Sequence, residues 1–138
     1  MKVLAPIIPA LFLFLQGNLV GVDFNREVRP LLASKCYACH GPDEEGRKAK
    51  LRLDVRKGAL KSEVIVPGKI EESEFHYRIR SDDPDEIMPP PESHATLTEK
   101  EKNLLDQWIK EGAKYEKHWA FVAPVPSTPP AKGSKWVR

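Results

Sequence analysis

Cys36-Tyr37-Ala38-Cys39-His40 decides how the rest of this 138-residue chain is read. Residues three apart on a helix share a face, so both thiols can reach one edge of a flat macrocycle while the next side chain turns beneath its centre. The C-x-x-C-H spacing is that of c-type haem attachment, in which the thiols add to two vinyl groups and the imidazole stands as proximal iron ligand. The expectation is one covalent haem c on Cys36 and Cys39, with His40 on the metal. These are the only two cysteines in the chain, which strengthens the signal. Three other uses compete. A redox dithiol normally sits on a strand-to-helix turn of a β-α-β pattern that is missing here. A zinc site needs a fourth ligand from afar, and adjacent Cys39 and His40 crowd a tetrahedral centre. A disulfide between the two closes too small a loop to be worth much stability.

Upstream of the motif the pattern is helical, with Phe24, Val28, Leu31 and Leu32 on one face and Asp23 placed to cap the first turn. Pro30 interrupts it, so a short first turn precedes a second helix that starts near Pro30 and runs into the cysteines until Gly41-Pro42 stops it. Further back, Lys2 precedes an unbroken apolar run from Val3 to Leu15, and no charge follows until Asp23. That is the layout of a secretory signal, and the run reaches only about 20 Å as a helix, short for a membrane span. Residues 1–22 therefore read as a signal peptide or an uncleaved N-terminal anchor, since neither Gly17 nor Gly21 follows a small residue as a cleavage site expects. An exported protein of the periplasm or cell envelope is expected, membrane-bound only if the segment stays uncut.

Downstream, Asp43 to Lys50 is a charged loop, and Leu51, Leu53 and Val55 alternate with Arg52 and Asp54 as in an extended segment with one buried side. Val64-Ile65-Val66 is a second short extended run. Glu71 to Arg80 reads as a helix with Phe75 and Ile79 one turn apart and His76 turned to solvent. Asp82 to Glu92 is denied regular structure by Pro84 and Pro89-Pro90-Pro91. The last helix is the clearest: Thr98 and Glu101 form a capping box, Leu104, Leu105, Trp108 and Ile109 make the apolar stripe, and Gly112 ends it. Phe24 and Trp108 are expected to meet where the first and last helices cross.

Composition bounds the rest. Thirteen prolines, eight glycines and 30% charged residues describe a loop-rich chain, stable only if something besides its own side chains fills the middle. The 22 basic and 20 acidic residues are interleaved, so no basic field points to nucleic acid. Arg47, Lys48, Lys50 and Arg52 could pair with a haem propionate or dock an acidic partner, against the plainer reading of a solvated loop balanced by Glu44 and Glu45.

From about Val22 to Phe121 the chain resembles the planctomycete-type cytochrome c domain. The resemblance is carried by Phe24-x3-Val28-x-Pro30-Leu31-Leu32, the Cys36 to Gly41 motif, Leu51-Arg52-Leu53-Asp54, Val66-Pro67-Gly68-Lys69, Glu72-Ser73-Glu74, Asp83-Pro84, Met88-Pro89-Pro90 and His118-Trp119-Ala120-Phe121. Ile70 departs from it, since such members usually have proline there. The resemblance implies haem c, electron transfer and fusion to larger domains. For the sixth iron ligand, Met88 is the candidate: it is the only methionine after Met1, and the prolines behind it hold its backbone. The methionine of class I cytochromes c likewise lies on an extended loop before the last helix, and the resemblance implies the same role. His76, His94 and His118 are the rivals, and an open sixth site is the alternative, giving a five-coordinate haem enzyme or sensor.

The fold expected is mostly α, a small class I cytochrome c-like arrangement of three to four short helices around one covalent haem. The domain spans 23–114, and 115–138 is a proline-rich linker or the lead-in to a further C-terminal domain. The function expected is single-electron transfer, by a module rather than a stand-alone catalyst. Its partner is a redox protein or a fused downstream domain, with no nucleic acid.

Overall fold

A computed structural model describes residues 21–124, the side chains of Ser62 and Trp119 excepted. The apolar run Val3–Leu15 and the stretch from Val125 onward, with Trp136, lie outside the described residues. No strand occurs among the described residues, and five short α-helices carry the fold: α1 Arg29–Lys35, α2 Tyr37–His40, α3 Arg56–Ala59, α4 Glu74–Arg80 and α5 Glu99–Lys110. The mostly-α, cytochrome c-like expectation holds. The count exceeds three to four because the helix entering the motif breaks at Cys36 and because α3 forms just after Leu51 to Val55, where no helix was expected.

The local rules explain where the elements begin. The Asp23 carboxylate accepts from the Arg26 N–H at 2.9 Å, capping a wide π-type turn, Phe24–Val28, that closes when the Arg29 N–H reaches back to the Phe24 carbonyl. Pro30 then sits in the first turn of α1, where its missing N–H leaves nothing unpaired. In α5 the capping box is complete: the Thr98 hydroxyl accepts from the Glu101 N–H at 3.3 Å, and Glu101 Oε2 accepts from the Thr98 N–H at 2.7 Å. Gly112, at φ +100°, ends that helix in the left-handed region that glycine reaches freely.

The core is one cluster. Phe24, Val28, Leu31 and Leu32 from the first arm meet Leu105, Trp108, Ile109 and Ala113 from the last, with Leu53, Ala59, Ile65, Ile70, Phe75 and Ile79 closing the sides. Phe24 stacks on Trp108 at 5.7 Å between ring centroids, as the crossing of first and last helices predicts. The loop before α4 is organised by Ser73, which is fully buried: its hydroxyl donates to the Lys69 carbonyl at 2.8 Å and accepts from the Val66 N–H at 2.9 Å.

Two expectations need correction. Leu53 is buried but Val55 is 41% exposed, so the alternation does not describe a strand. The Leu51 and Leu53 N–H groups go to the carbonyls of Lys48 and His40, and with those donors used the backbone bends into α3. His76 does not face solvent: its side chain is 19% exposed and held by Asp106.

Packing also continues past the 114 boundary. Tyr115 lies 4.6 Å from the Phe24 ring and 5.2 Å from Trp108, and its hydroxyl donates to the Leu53 carbonyl at 2.9 Å. Beyond it, Asn25 Nδ2 donates to Glu116 Oε2 and to the Lys117 carbonyl, and Arg29 donates to the Glu116 carbonyl while lying over the Phe24 ring. At the other end the Val22 N–H donates to Glu111 Oε2 at 2.7 Å. The segments that enter and leave the domain therefore run side by side. Phe121 and Val122 are exposed, at 82% and 53%.

Candidate functional site

α1 delivers the chain into the motif. The Cys36 N–H still donates to the Leu32 carbonyl at 2.8 Å, but Cys36 itself departs from helical geometry at φ −124°, ψ −34°. Its carbonyl then accepts from both the Cys39 N–H at 3.2 Å and the His40 N–H at 2.8 Å. One turn of backbone thus brings Cys36, Cys39 and His40 together, as the spacing requires. Both cysteines are free thiols and half-buried.

Electrostatics sort the uses of these groups. Burial pushes the Cys36 thiol up to about 12, with Cys39 adding to the rise and Lys35 opposing it. A dithiol that exchanges electrons by thiolate attack needs a lowered value, so Cys36 is poorly suited to that role. Burial also lowers the pKa of His40, against an opposing pull from the Lys48 backbone. At neutral pH its ring is therefore uncharged and keeps a lone pair for a metal. His40 Nδ1 is buried with no hydrogen-bond partner. Among the described residues no three His, Cys, Asp or Glu side chains gather as a metal-binding group.

The carbonyl ends of the motif turn are fully engaged. The Lys48 N–H donates to the Cys39 carbonyl at 2.7 Å and the Leu53 N–H to the His40 carbonyl at 2.8 Å. Arg47 Nε donates to the Gly41 carbonyl at 3.0 Å and Arg47 Nη2 to the Pro42 carbonyl at 2.7 Å. Gly41 is obligatory, since a Cβ there falls 2.3 Å from the Tyr37 carbonyl oxygen. The Arg47 side chain is 15% exposed, so it is not part of a solvated loop; that reading is corrected by its two backbone acceptors. Its role was missed in the sequence because nothing in a charged loop distinguishes an arginine that folds back from one that points out.

Met88 stands on the loop after α4. Its N–H donates to the Arg78 carbonyl at 2.8 Å, and the Met88–Pro89 peptide is cis. It is half-buried, and it is not one of the partly buried apolar side chains packed on the core cluster. Of the rival histidines, His76 Nδ1 is bound to Asp106 at 2.8 Å, His118 Nδ1 accepts from the Ala120 N–H at 3.2 Å, and His94 is exposed.

Two free thiols and an uncharged imidazole on one helical turn, in a small mostly-α module, are the donor set that a covalently attached haem would take. Residues 36–92 match the model of the family described as Planctomycete cytochrome C, so the resemblance read from the motifs is borne out. The matched stretch takes in the Cys36 to Gly41 motif, Leu51 to Asp54, Val66 to Lys69 and Met88 to Pro90, and leaves out Phe24 to Leu32 and His118 to Phe121. No curated protein and no solved structure matches the chain. The family implies a haem, and the residues present fit one: the thiols are unpaired, the imidazole is neutral, and its buried Nδ1 has a hydrogen-bonding position to spare. No helix among the described residues is long and apolar enough to cross a membrane.

Proposed function

We propose that this protein is an exported electron-transfer module that carries one haem, covalently attached through Cys36 and Cys39, with His40 and Met88 as axial ligands. The observation that carries the reading is the single turn that presents both thiols and the imidazole. When bound, the haem supplies a reversible one-electron iron couple.

The chain's own residues do the rest. Cys36 and Cys39 would each add their S–H across a vinyl C=C of the haem, the sulfur bonding to one carbon and the hydrogen to the other as the π bond is lost, and so would hold the group to the motif turn by two thioethers. His40 offers a neutral nitrogen, and its main-chain carbonyl is tied to Leu53 so that the ring has a fixed origin. Met88 supports a distal role for a specific reason: it is half-buried without packing on the core, so filling the core does not account for it. A thioether ligand supplied by Met88 would favour the reduced iron relative to a second imidazole. Export and a fused downstream partner rest on the apolar run at Val3–Leu15 and on the family resemblance, and Phe121 and Val122, exposed beside the exit segment, suit a contact with such a partner.

Acid-acetone extraction followed by pyridine haemochrome spectroscopy tests the attachment. The haem stays with the polypeptide, at one per chain, and the double variant Cys36→Ala/Cys39→Ala releases it. Covalent haem at normal stoichiometry in that double variant overturns the reading.

A further inference from the structure

Resting on that haem reading, we infer that Arg47 is the positioning residue for the proximal ligand. Four consecutive carbonyls, from Cys39 just before His40 to Pro42 after it, are each held by the segment 47–53. Lys48 and Leu53 hold the first two through backbone N–H groups. Arg47 alone holds the last two, with its side-chain fork closed on the carbonyls of Gly41 at 3.0 Å and Pro42 at 2.7 Å. A lysine could reach one such oxygen but not grip two with fixed geometry, because its ammonium is a point donor on a flexible stem.

The location of this grip gives it leverage. The Gly41 carbonyl lies one peptide beyond that of His40, so a grip on it limits how far the turn behind the imidazole can shift. Gly41 has no side chain to restrain it, and Pro42 cannot donate a backbone hydrogen bond. The only ion pair of Arg47 among the described residues, with Glu44, is long at 3.9 Å, and the guanidinium is mostly covered. The side chain is thus committed to the two carbonyls beside the motif. A group that orients a ligand from outside the ligand set tunes the metal by fixing ring orientation and by controlling water access.

The test uses the haem-loaded protein with Arg47→Lys and Arg47→Gln. Four quantities are measured: covalent haem per chain, melting temperature, the g-values of the ferric low-spin iron, and the reduction potential. We expect one haem per chain in every form, because the thiols are untouched. Both variants change the spread of g-values and lower the potential, since a loosened turn admits water to the proximal side and favours the ferric state. A charge effect alone gives a different pattern, in which Arg47→Lys matches the unchanged protein and only Arg47→Gln shifts. A purely structural role lowers the melting temperature and leaves g-values and potential where they were. Either pattern overturns the assignment. If Arg47→Gln does not fold, Arg47→Lys decides alone, because it keeps the charge and removes the fork. Absence of covalent haem from the unchanged protein overturns the haem reading itself and this inference with it.

Discussion

His76 Nδ1 and Asp106 Oδ1 lie 2.8 Å apart, joining α4 to α5, and the other oxygen of the same carboxylate receives Arg80 Nε at 3.0 Å and Nη2 at 2.7 Å. Asp106 is buried, so the two donors are what make its charge tolerable there. This arrangement holds the His76 ring, through its Nδ1, between the two helices.

Removing the carboxylate should therefore be costly and leave the haem spectrum alone. Asp106→Ala removes the shared acceptor of a half-buried guanidinium and an imidazole, and losing a hydrogen-bonded charged acceptor of this kind costs about 2 kcal/mol. Chemical denaturation reads the loss. Absorption bands that shift in Asp106→Ala or His76→Phe would tie this triad to the iron and contradict its assignment to helix packing.

Met88→Ala should open the distal position. Carbon monoxide then binds the reduced protein, and the weak sulfur-to-iron band in the near infrared disappears, while Met88→His lowers the reduction potential. If Met88→Ala keeps the potential and the spectrum of the unchanged protein, another side chain or none holds that place.

The end of the domain can be located by truncation. Cutting after Lys114 removes Tyr115 from between Phe24 and Trp108 and leaves the Leu53 carbonyl without its hydroxyl donor. The loss of a large core aromatic predicts a destabilisation of about 3 kcal/mol. A cut after Phe121 discards exposed Val122 and the residues that follow it, and the melting temperature should stay unchanged. Equal melting for both cuts would mean that Tyr115 contributes nothing.

Acid sensitivity has a named source in Asp54. The Arg52 guanidinium donates to both of its oxygens and lowers its pKa from 3.8, against a smaller opposing effect of burial. Because the folded value is the lower one, the pair contributes its full stabilisation above pH 3.8 and loses it as the pH falls through the folded value. Asp54→Asn should flatten the acid limb of a stability-versus-pH curve below about pH 4 and leave the neutral region parallel to that of the unchanged protein. An identical acid limb in the variant would assign the sensitivity elsewhere.

Gly41→Ala is the sharpest probe of the turn. Its Cβ meets the Tyr37 carbonyl at 2.3 Å and the Tyr37 Cβ at 2.9 Å, so the backbone behind His40 must move. The yield of covalently loaded protein should drop steeply relative to the unchanged protein, judged by haem stain per unit of polypeptide.

The parts of this molecule that could be read in the sequence are those whose partners lie within a turn or two. Asp23 caps at Arg26, Thr98 and Glu101 box together, and the Cys36 carbonyl gathers Cys39 and His40, all within four residues. What stayed hidden depends on partners far along the chain. Tyr115 donates to Leu53 across 62 positions, and His76 meets Asp106 across 30, neither of which leaves a periodic trace. Leu51 to Val55 misled for a related reason: alternation shows which side chains could share a face, but whether a strand forms depends on where the N–H groups go, and here two go to Lys48 and His40. Arg47 was hidden by composition, one cation among several in a charged loop.

The seam formed by Val22 with Glu111, Asn25 with Glu116 and Lys117, and Phe24 with Tyr115 has a mechanical meaning. Tension applied to the two ends of the domain loads this seam first and reaches the Cys36 to His40 turn only after the seam has parted. Neighbouring ends also let the domain be grafted into a surface turn of another protein without stretching either chain. The fold thereby shields the Cys36 to His40 turn from whatever pulls on the polypeptide at either side.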